Sequence, residues 1–283
     1  MFISARDLYS SVYDKVYDAV DDKRECRPIT LLILNSRFKC ETLSVIIDRN
    51  ISIDDESCNI EDIILRLRNN EPIQYILGTC SFLDNELYVD RNVLIPRQET
   101  EEMVLDLLKK NLSNKIVLDI CPGSGCMAIS VKKKYPASTV YAIDISPNAL
   151  KIAKKNAKSN NVNINYICLD ILSDCDINIE NADMIISNPP YICEDERSRI
   201  DTRILNYEPD IALFVPNKEP LIFYKKIINI GNKHLKKGGD IYVEINERFG
   251  NEVKNLLKSY NYENIMIHRD MNNKDRWITA TKI

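Results

Sequence analysis

The sequence predicts an α/β protein whose larger part is a doubly wound, mostly parallel sheet, preceded by a small helical domain. From Arg97 onward, short apolar strands alternate with helices, which is typical of a parallel sheet covered by helices on both faces. Residues 1–75 instead carry helical periodicity and little strand signal. A glycine-containing loop joins the first strand of the alternating part to the helix that follows.

Residues 1–75 are therefore predicted to form an N-terminal helical domain. Two apolar groups indicate helices, namely Leu8, Val12 and Val16, and more loosely Ile63, Leu65 and Leu67. The acids at 54–56 and Glu61 are typical of helix starts. Residues 76–95 then predict a β-hairpin linker with a polar turn at 83–86.

Residues 96–283 form the alternating domain. Its predicted helices are 99–110, 127–134, 147–160, 221–235 and 251–260, and its predicted strands are 115–119, 139–144, 165–170, 183–187, 240–245, 265–268 and 277–281. Thr100 is a candidate N-cap of the first helix, and Ser146 with Pro147 has the residue types of a cap and first helical position.

Composition excludes several classes of protein. The net charge of −4 offers no general attraction to a phosphate backbone, so we expect no DNA partner. No apolar run approaches the ~18 residues that a membrane span requires, and Arg6 and Asp7 argue against a signal peptide. These observations predict a cytoplasmic protein without membrane segments.

The nine cysteines indicate reduced thiols and no metal site. No Cys-x-x-Cys pair occurs, and the closest pairs are Cys121 with Cys126 and Cys168 with Cys175. Only two histidines are present, whereas zinc sites use tighter sets of ligands. Small apolar core residues are the simpler interpretation of these cysteines.

The loop after the first strand of the alternating domain predicts a site for a ribonucleoside-containing ligand. Gly123 and Gly125 allow a tight turn and close backbone approach. Asp144 ends the next strand about 20 residues on, where a carboxylate accepts hydrogen bonds from both ribose hydroxyls. Either glycine alone would indicate only an ordinary turn.

Asp119 favours S-adenosylmethionine over a dinucleotide as that ligand. Gly123, Gly125 and Ala128 also fit the dinucleotide pattern Gly-x-Gly-x-x-Ala. A carboxylate at the mouth of the loop would repel a pyrophosphate, whereas S-adenosylmethionine carries positive groups and no phosphate. Asp119 is otherwise a backbone-capping acid at a strand end. Asp170 is either an acceptor for the adenine amino group or a simple turn acid.

The segment Asn188-Pro189-Pro190-Tyr191 predicts a clamp for a planar –NH₂ group. Two prolines fix φ and remove two backbone donors, which leaves mostly acceptors: the Asn188 side-chain oxygen and the Pro189 carbonyl. Tyr191 adds an aromatic face that can pack on a flat amide or base. The competing interpretation is a stiff turn with a core tyrosine, which an isolated Pro-Pro pair would favour.

Together these segments resemble the HemK family of protein-(glutamine-N5) methyltransferases, which modify peptide release factors. The resemblance lies in residues 71–78, 94–101, 117–126, 186–192 and 207–209. It implies a class I S-adenosylmethionine-dependent methyltransferase with a Rossmann-like, seven-stranded, mostly parallel sheet. It also implies an N-terminal helical domain that helps to hold class 1 peptide chain release factors, with the glutamine of their Gly-Gly-Gln loop as the target.

The resemblance also implies roles for individual residues. The cofactor residues are Asp119, Cys121, Pro122, Gly123, Ser124, Gly125, Asp144, Asp170, Ile171 and Asn188, and the catalytic clamp is Asn188, Pro189, Pro190 and Tyr191. Cys121 stands where many such enzymes have a glycine, and residues 214–220 lack the family's paired glycines.

Three other functions share parts of this pattern. A ribosomal-protein glutamine methyltransferase would differ only in its partner. An adenine-N6 DNA methyltransferase shares the cofactor loop and the clamp but should carry a basic recognition region. A non-catalytic relative of the fold would be favoured by loss of Asn188 or Asp144, and both are present.

Overall fold

The computed structural model describes residues 2–52, 59–173 and 177–283. The chain divides into two compact units, one formed by Met1–Gly78 with Asp201–Tyr207 and the other by Thr79–Ile200 with Glu208–Ile283. They are called here the N-terminal unit and the sheet unit. The predicted helix-start acids at 54–56 lie outside the described ranges, as does Cys175.

The N-terminal unit consists mainly of helices, as its periodicity predicts. In chain order its first elements are β1 (Phe2–Ser4), α1 (Ala5–Ala19), α2 (Cys26–Phe38), α3 (Thr42–Ile46), β2 (Asn50–Ser52), α4 (Ile60–Arg68) and α5 (Ile73–Leu77). The strands β1 and β2 pair antiparallel. The sequence did not predict this pair, because three-residue strands are too short to show an alternating pattern.

The predicted apolar face of α1 is buried in the core of this unit. In α4 the buried residues include Ile63 and Leu67, whereas Leu65 is 57% exposed. The assignment of Leu65 to the same face was wrong, because residues two apart on a helix do not share a face. Glu61 does lie in the first turn of α4, as predicted.

The sheet unit contains the rest of the secondary structure. Its elements, with α9 of the N-terminal unit included for order, are β3 (Thr79–Phe82), β4 (Asn85–Tyr88), α6 (Gln98–Leu107), β5 (Ile116–Ile120), α7 (Cys126–Lys134), β6 (Thr139–Asp144), α8 (Pro147–Ser159), β7 (Asn165–Cys168), β8 (Ala182–Ser187), β9 (Ile192–Cys193), α9 (Thr202–Tyr207), β10 (Phe214–Val215), α10 (Ile222–His234), β11 (Leu235–Glu244), α11 (Gly250–Ser259), β12 (Tyr262–Arg269) and β13 (Asp275–Lys282).

Seven of these strands form one sheet in the order β12-β13-β11-β8-β5-β6-β7. The five strands from β11 to β7 in this order are parallel, and β13 runs antiparallel to both of its neighbours. Two apolar clusters fill the space between the sheet and its helices. The predicted seven-stranded, mostly parallel architecture is confirmed. Because parallel strands end at the same edge, the residues that follow β5, β6, β7 and β8 lie together.

Residues 201–207 pack with the N-terminal unit although they lie far from it in sequence. Arg203 forms a two-point ion pair with Glu25, at N–O distances of 2.7 and 3.2 Å. The Tyr207 hydroxyl donates to the carbonyl of Asn69 at 2.7 Å. Hydrophobic periodicity is a local signal, so it gave no indication of this distant segment.

Several predicted boundaries are confirmed and two local predictions are corrected. Ser146 caps α8 by accepting from the Ala149 amide, with Pro147 at the first helical position. Thr100 is not an N-cap, because α6 begins at Gln98 and the Thr100 hydroxyl is bonded to Glu244 instead. The hairpin turn comprises only residues 83–84, since β4 already begins at Asn85.

Within the described ranges, no helix has the length and apolar character needed to cross a bilayer.

Candidate active site

A cavity of about 240 Å³ lies in the sheet unit where its central parallel strands end. Its wall brings together the loop after β5, the ends of β6 and β7, and the loop after β8. The predicted site residues in this wall are Cys121, Pro122, Gly123, Ser124, Asp144, Asp170, Ile171, Asn188 and Pro190. Residues from four separate strand ends therefore share one cavity.

The loop after β5 takes its shape from three residues with positive φ. Gly123 lines the cavity, has a φ of 53° and has no atom within 4 Å of the position a Cβ would occupy. Gly125 has a φ of 82°, and a Cβ there would lie 3.1 Å from the Cβ of Ala153 in α8. Cys121 also has a φ of 61°, which costs free energy for a residue with a side chain. Burial raises the pKa of the Cys121 thiol well above its ordinary value, so the thiol is neutral.

Asp144, at the end of β6, is held in place by the loop it faces. One carboxylate oxygen accepts from the Gly123 amide at 3.2 Å and the other from the Ser146 amide at 2.9 Å. Burial raises the pKa of Asp144, although these two amides oppose the shift. Each carboxylate oxygen has a further lone pair, so the group is fixed in direction and still able to accept from a ligand.

The end of β7 supplies a polar group between apolar neighbours. The Asp170 carboxylate accepts from the Leu172 amide at 2.8 Å, and Asp170 itself lies in the cavity wall. Ile171 is buried, while Ile145 and Leu172 are 45% and 37% exposed and line the same wall. Apolar faces with one acceptor at their edge fit a flat heterocycle that carries an amino group.

Asp119 is fully buried and is not part of the cavity wall. One of its oxygens accepts from the Ala128 amide in the first turn of α7 at 3.0 Å, and the other has no hydrogen-bond partner within the described part of the chain. Burial raises the pKa of Asp119 well above its ordinary value. The structure thus places this carboxyl behind the loop, where it supports the start of α7.

The predicted clamp residues divide between the cavity wall and the layer behind it. Asn188 and Pro190 line the cavity, and Pro189 is buried outside the wall. The Tyr191 ring packs against the core, and its hydroxyl donates to Glu244 at 2.8 Å. Burial and the nearby Glu244 carboxylate raise the pKa of Tyr191 well above its ordinary value, so it stays neutral.

Three residues that sequence reasoning missed hold this loop. Glu244, at the end of β11, accepts from Thr100 at 2.6 Å, and Thr100 accepts from the Asn188 side-chain nitrogen at 3.2 Å. The side-chain nitrogen of Asn246 donates to the Tyr191 carbonyl at 3.1 Å. The sequence signal for these residues was the position of Glu244 and Asn246 at and just after the end of β11. Because β11 lies beside β8 in the sheet, polar residues at the end of β11 reach the loop after β8.

A fourth missed residue, Glu208, joins two segments of the cavity rim. Its side chain is only 1% exposed, and it accepts from the Arg97 guanidinium at 2.5 Å and from the Ile95 amide at 3.2 Å. Arg97 lines the cavity, as do Pro209 and Ile211 just after Glu208. Glu208 therefore ties residues 95–97 to the segment that carries Pro209 and Ile211.

One group in the described ranges has a spacing that would suit a metal ion: Cys193, Asp195 and Glu196. These side chains already have protein partners. Glu196 accepts from the Cys193 amide at 3.0 Å, and Asp195 pairs with Arg248 at 3.2 Å. The group is explained as the cap and ion pairs of a short helical turn.

Comparison with known proteins adds the family. A profile described as Methyltransferase small domain matches residues 99–209. A release factor glutamine methyltransferase of Flavobacterium psychrophilum is 38% identical over 276 residues, covering 95% of this chain and 96% of the relative. Another, from Bacteroides thetaiotaomicron, is 37% identical over 261 residues, covering 91% and 93%.

A solved methyltransferase structure from Pyrococcus furiosus is similar in fold, with a TM-score of 0.54 at 17% identity, covering 79% of this chain and 98% of that one. The sequence relatives match along almost their whole length, and the matched region includes both the cofactor loop and the Asn188 loop. The chain belongs to the family of release factor glutamine methyltransferases.

Proposed function

We propose that this protein methylates the side-chain amide nitrogen of the glutamine in the Gly-Gly-Gln loop of class 1 peptide chain release factors, using S-adenosylmethionine. The observation that carries the proposal is the full-length similarity to release factor glutamine methyltransferases, combined with Asn188 and Asp144 in one cavity wall. The protein is accordingly an S-adenosylmethionine-dependent enzyme.

The cavity fits the chemical groups of this cofactor. Asp144 presents a fixed carboxylate to two ribose hydroxyls, and Asp170 offers an acceptor beside the apolar surfaces of Ile145 and Leu172. The backbone at Gly123 leaves open space where a side chain would stand. Asp119 then acts from behind the loop, by fixing the start of α7 through the Ala128 amide.

S-adenosylmethionine, when bound, supplies a methyl group on positively charged sulfur. An amide nitrogen is a weak nucleophile because its lone pair is delocalised into the carbonyl. The protein must therefore orient that nitrogen. The Asn188 side-chain oxygen, in the cavity wall, accepts one of its N–H groups, and the carbonyl of the adjoining Pro189 is the second expected acceptor although Pro189 lies outside the wall. Orientation of this kind contributes ~7–11 kcal/mol in favourable cases.

The residues around the clamp are suited to orientation and not to early proton removal. The Tyr191 hydroxyl donates to Glu244, and its raised pKa keeps it protonated. Glu244 is buried outside the cavity wall. The amide proton becomes acidic only as the new bond to carbon forms, so it is lost to solvent after transfer has begun.

The rest of the assignment follows from this activity. We propose that the N-terminal unit contributes to holding the release factor, and that the protein works in the cytoplasm, where release factors act. DNA, membranes and metal ions have no part in this proposal. The clamp itself suits an adenine amino group as well as an amide, so the choice of substrate depends on the family match and on the net charge of −4.

A comparison of methyl transfer to four candidate substrates tests this function. The protein is incubated with methyl-labelled cofactor and, separately, intact release factor, release factor with its Gly-Gly-Gln glutamine replaced, ribosomal protein and duplex DNA at physiological salt. We expect label only in intact release factor, on the glutamine side chain. Label in DNA adenine or in ribosomal protein, with none in release factor, would contradict the proposal.

A further inference from the structure

Glu244 lies one layer behind the reacting groups. It is 1% exposed, ends β11 and is absent from the cavity wall. Its two carboxylate oxygens are used separately, one by the Thr100 hydroxyl at 2.6 Å and the other by the Tyr191 hydroxyl at 2.8 Å. Within the described ranges it forms no salt bridge. Burial raises the pKa of Glu244, whereas the hydrogen bonds from Thr100 and Tyr191 and the charge of Arg276 in β13 oppose this shift.

The direction of these hydrogen bonds determines which way the Asn188 amide faces. A hydroxyl has one proton to donate. Both Glu244 oxygens accept from hydroxyl groups, so the Thr100 proton is directed at Glu244. Toward Asn188, the Thr100 oxygen can then only accept. The Asn188 NH₂ group must face Thr100, where the distance is 3.2 Å. The Asn188 side-chain oxygen is left for the cavity.

We infer that Glu244 is a positioning residue that fixes the Asn188 amide, through the Thr100 hydroxyl, with its oxygen toward the substrate nitrogen. Glu244 holds the same loop a second time through Tyr191, three residues after Asn188. The inference rests on the proposed function and deepens it, because a reversed Asn188 amide would present N–H groups to a substrate that itself offers N–H groups.

Without the Glu244 carboxylate, the direction of the hydrogen bond between Thr100 and Asn188 is no longer fixed. The Thr100 proton would be free to turn toward the Asn188 oxygen, and the Asn188 amide would then rotate by half a turn. With valine in place of Thr100, the Asn188 amide would lose the partner that orients it. With serine, the hydroxyl and the hydrogen-bond direction are kept.

Single-turnover transfer to release factor at saturating cofactor tests the inference in Glu244→Leu, Thr100→Val and the matched control Thr100→Ser. We expect the first two to be slower by ~10- to 100-fold, the scale of a misoriented reacting group. Thr100→Ser should stay within about threefold of wild type. In the Thr100→Val background, Glu244→Leu should slow transfer by a smaller factor than it does in the wild type, because the part of its effect that passes through Thr100 is already lost.

Calorimetric cofactor affinity and thermal unfolding separate positioning from misfolding, since we expect cofactor affinity to change by less than about threefold in these variants. If Glu244→Leu does not fold, the comparison of transfer rates between Thr100→Val and Thr100→Ser tests the inference. Transfer by Thr100→Val as fast as by Thr100→Ser would overturn the inference.

A second readout does not require activity. The side-chain NH₂ signals of Asn188 in nitrogen-15 NMR, assigned from their loss in Asn188→Asp, should be protected from exchange in wild type and Thr100→Ser. They should lose protection in Thr100→Val and Glu244→Leu. Equal protection in all four proteins would overturn the inference. Absence of transfer by wild type would instead contradict the proposed function, and the NMR comparison would still decide the role of Glu244.

Discussion

Single residues in the cavity give the most direct tests of cofactor binding, and Asp144 is the first. Replacing it with alanine removes both acceptors for the ribose hydroxyls and leaves the Gly123 amide without its partner. We expect S-adenosylmethionine binding to weaken by ~2–3 kcal/mol, the scale of lost charge-assisted hydrogen bonds. Calorimetry on the folded variant measures this. Ser173→Ala, outside the cavity wall, is the control, since among the described residues its side chain bonds the Asp170 carbonyl. Equal affinity for wild type and Asp144→Ala would remove Asp144 from the site.

Asp119 predicts a pH dependence of stability. Burial raises its pKa in the folded protein, so the folded state holds the proton more tightly than the unfolded state. Its favourable contribution is therefore present below the ordinary aspartate pKa of ~3.9 and is lost as pH rises toward the folded value. The asparagine side chain in the variant Asp119→Asn cannot titrate. The variant should therefore become more stable relative to wild type as pH increases. Urea unfolding without cofactor measures this difference, and a difference that stays constant between acidic and neutral pH would refute it.

At the scale of elements, Asn156 in α8 joins the hairpin to the cofactor loop. Its fully buried amide accepts from the Tyr88 amide at 2.7 Å and donates to the Tyr88 and Ser124 carbonyls at 2.9 Å each. Asn156→Ala leaves these buried backbone groups without partners, so we expect a loss of about 3 kcal/mol in unfolding free energy. Asn160→Ala, which removes bonds to the Glu86 and Asn156 carbonyls at the end of the helix, should cost less than about 1 kcal/mol. Urea unfolding of the two variants compares them, and equal losses would show that Asn156 has no special role in this junction.

The elements of the sheet unit could largely be predicted, because most strands and helices show their own pattern of apolar residues in the sequence. One exception, the start of β11, has a physical reason. The strand begins at Leu235, five residues before the predicted start at Asp240, and its pairing with β8 shifts between these two residues. The intervening Lys236, Lys237, Gly238 and Gly239 show no apolar alternation, so the sequence indicates a loop there. The same limit hid Glu244, since only the sheet order places the end of β11 beside the Asn188 loop.

At the scale of the whole molecule, the sequence predicted the fold class and the family, because short contiguous motifs carry them. It did not predict contacts between residues that lie far apart in the sequence. The inclusion of residues 201–207 in the N-terminal unit is one such case, and the attachment of Glu208 to Arg97 is another. The placement of Asp119 behind the loop is a third, because a strand-end acid can face either a ligand or a helix start.

The central claim is that the cavity methylates a glutamine amide held by Asn188. Its most direct test is single-turnover transfer from saturating S-adenosylmethionine to release factor, with peptide mass spectrometry locating the methyl group, for wild type and Asn188→Ala. We predict one added methyl on the Gly-Gly-Gln glutamine, transferred ~100-fold more slowly by the variant although its cofactor affinity is nearly unchanged. A methyl group on another residue, or transfer by Asn188→Ala at the wild-type rate, would contradict the claim.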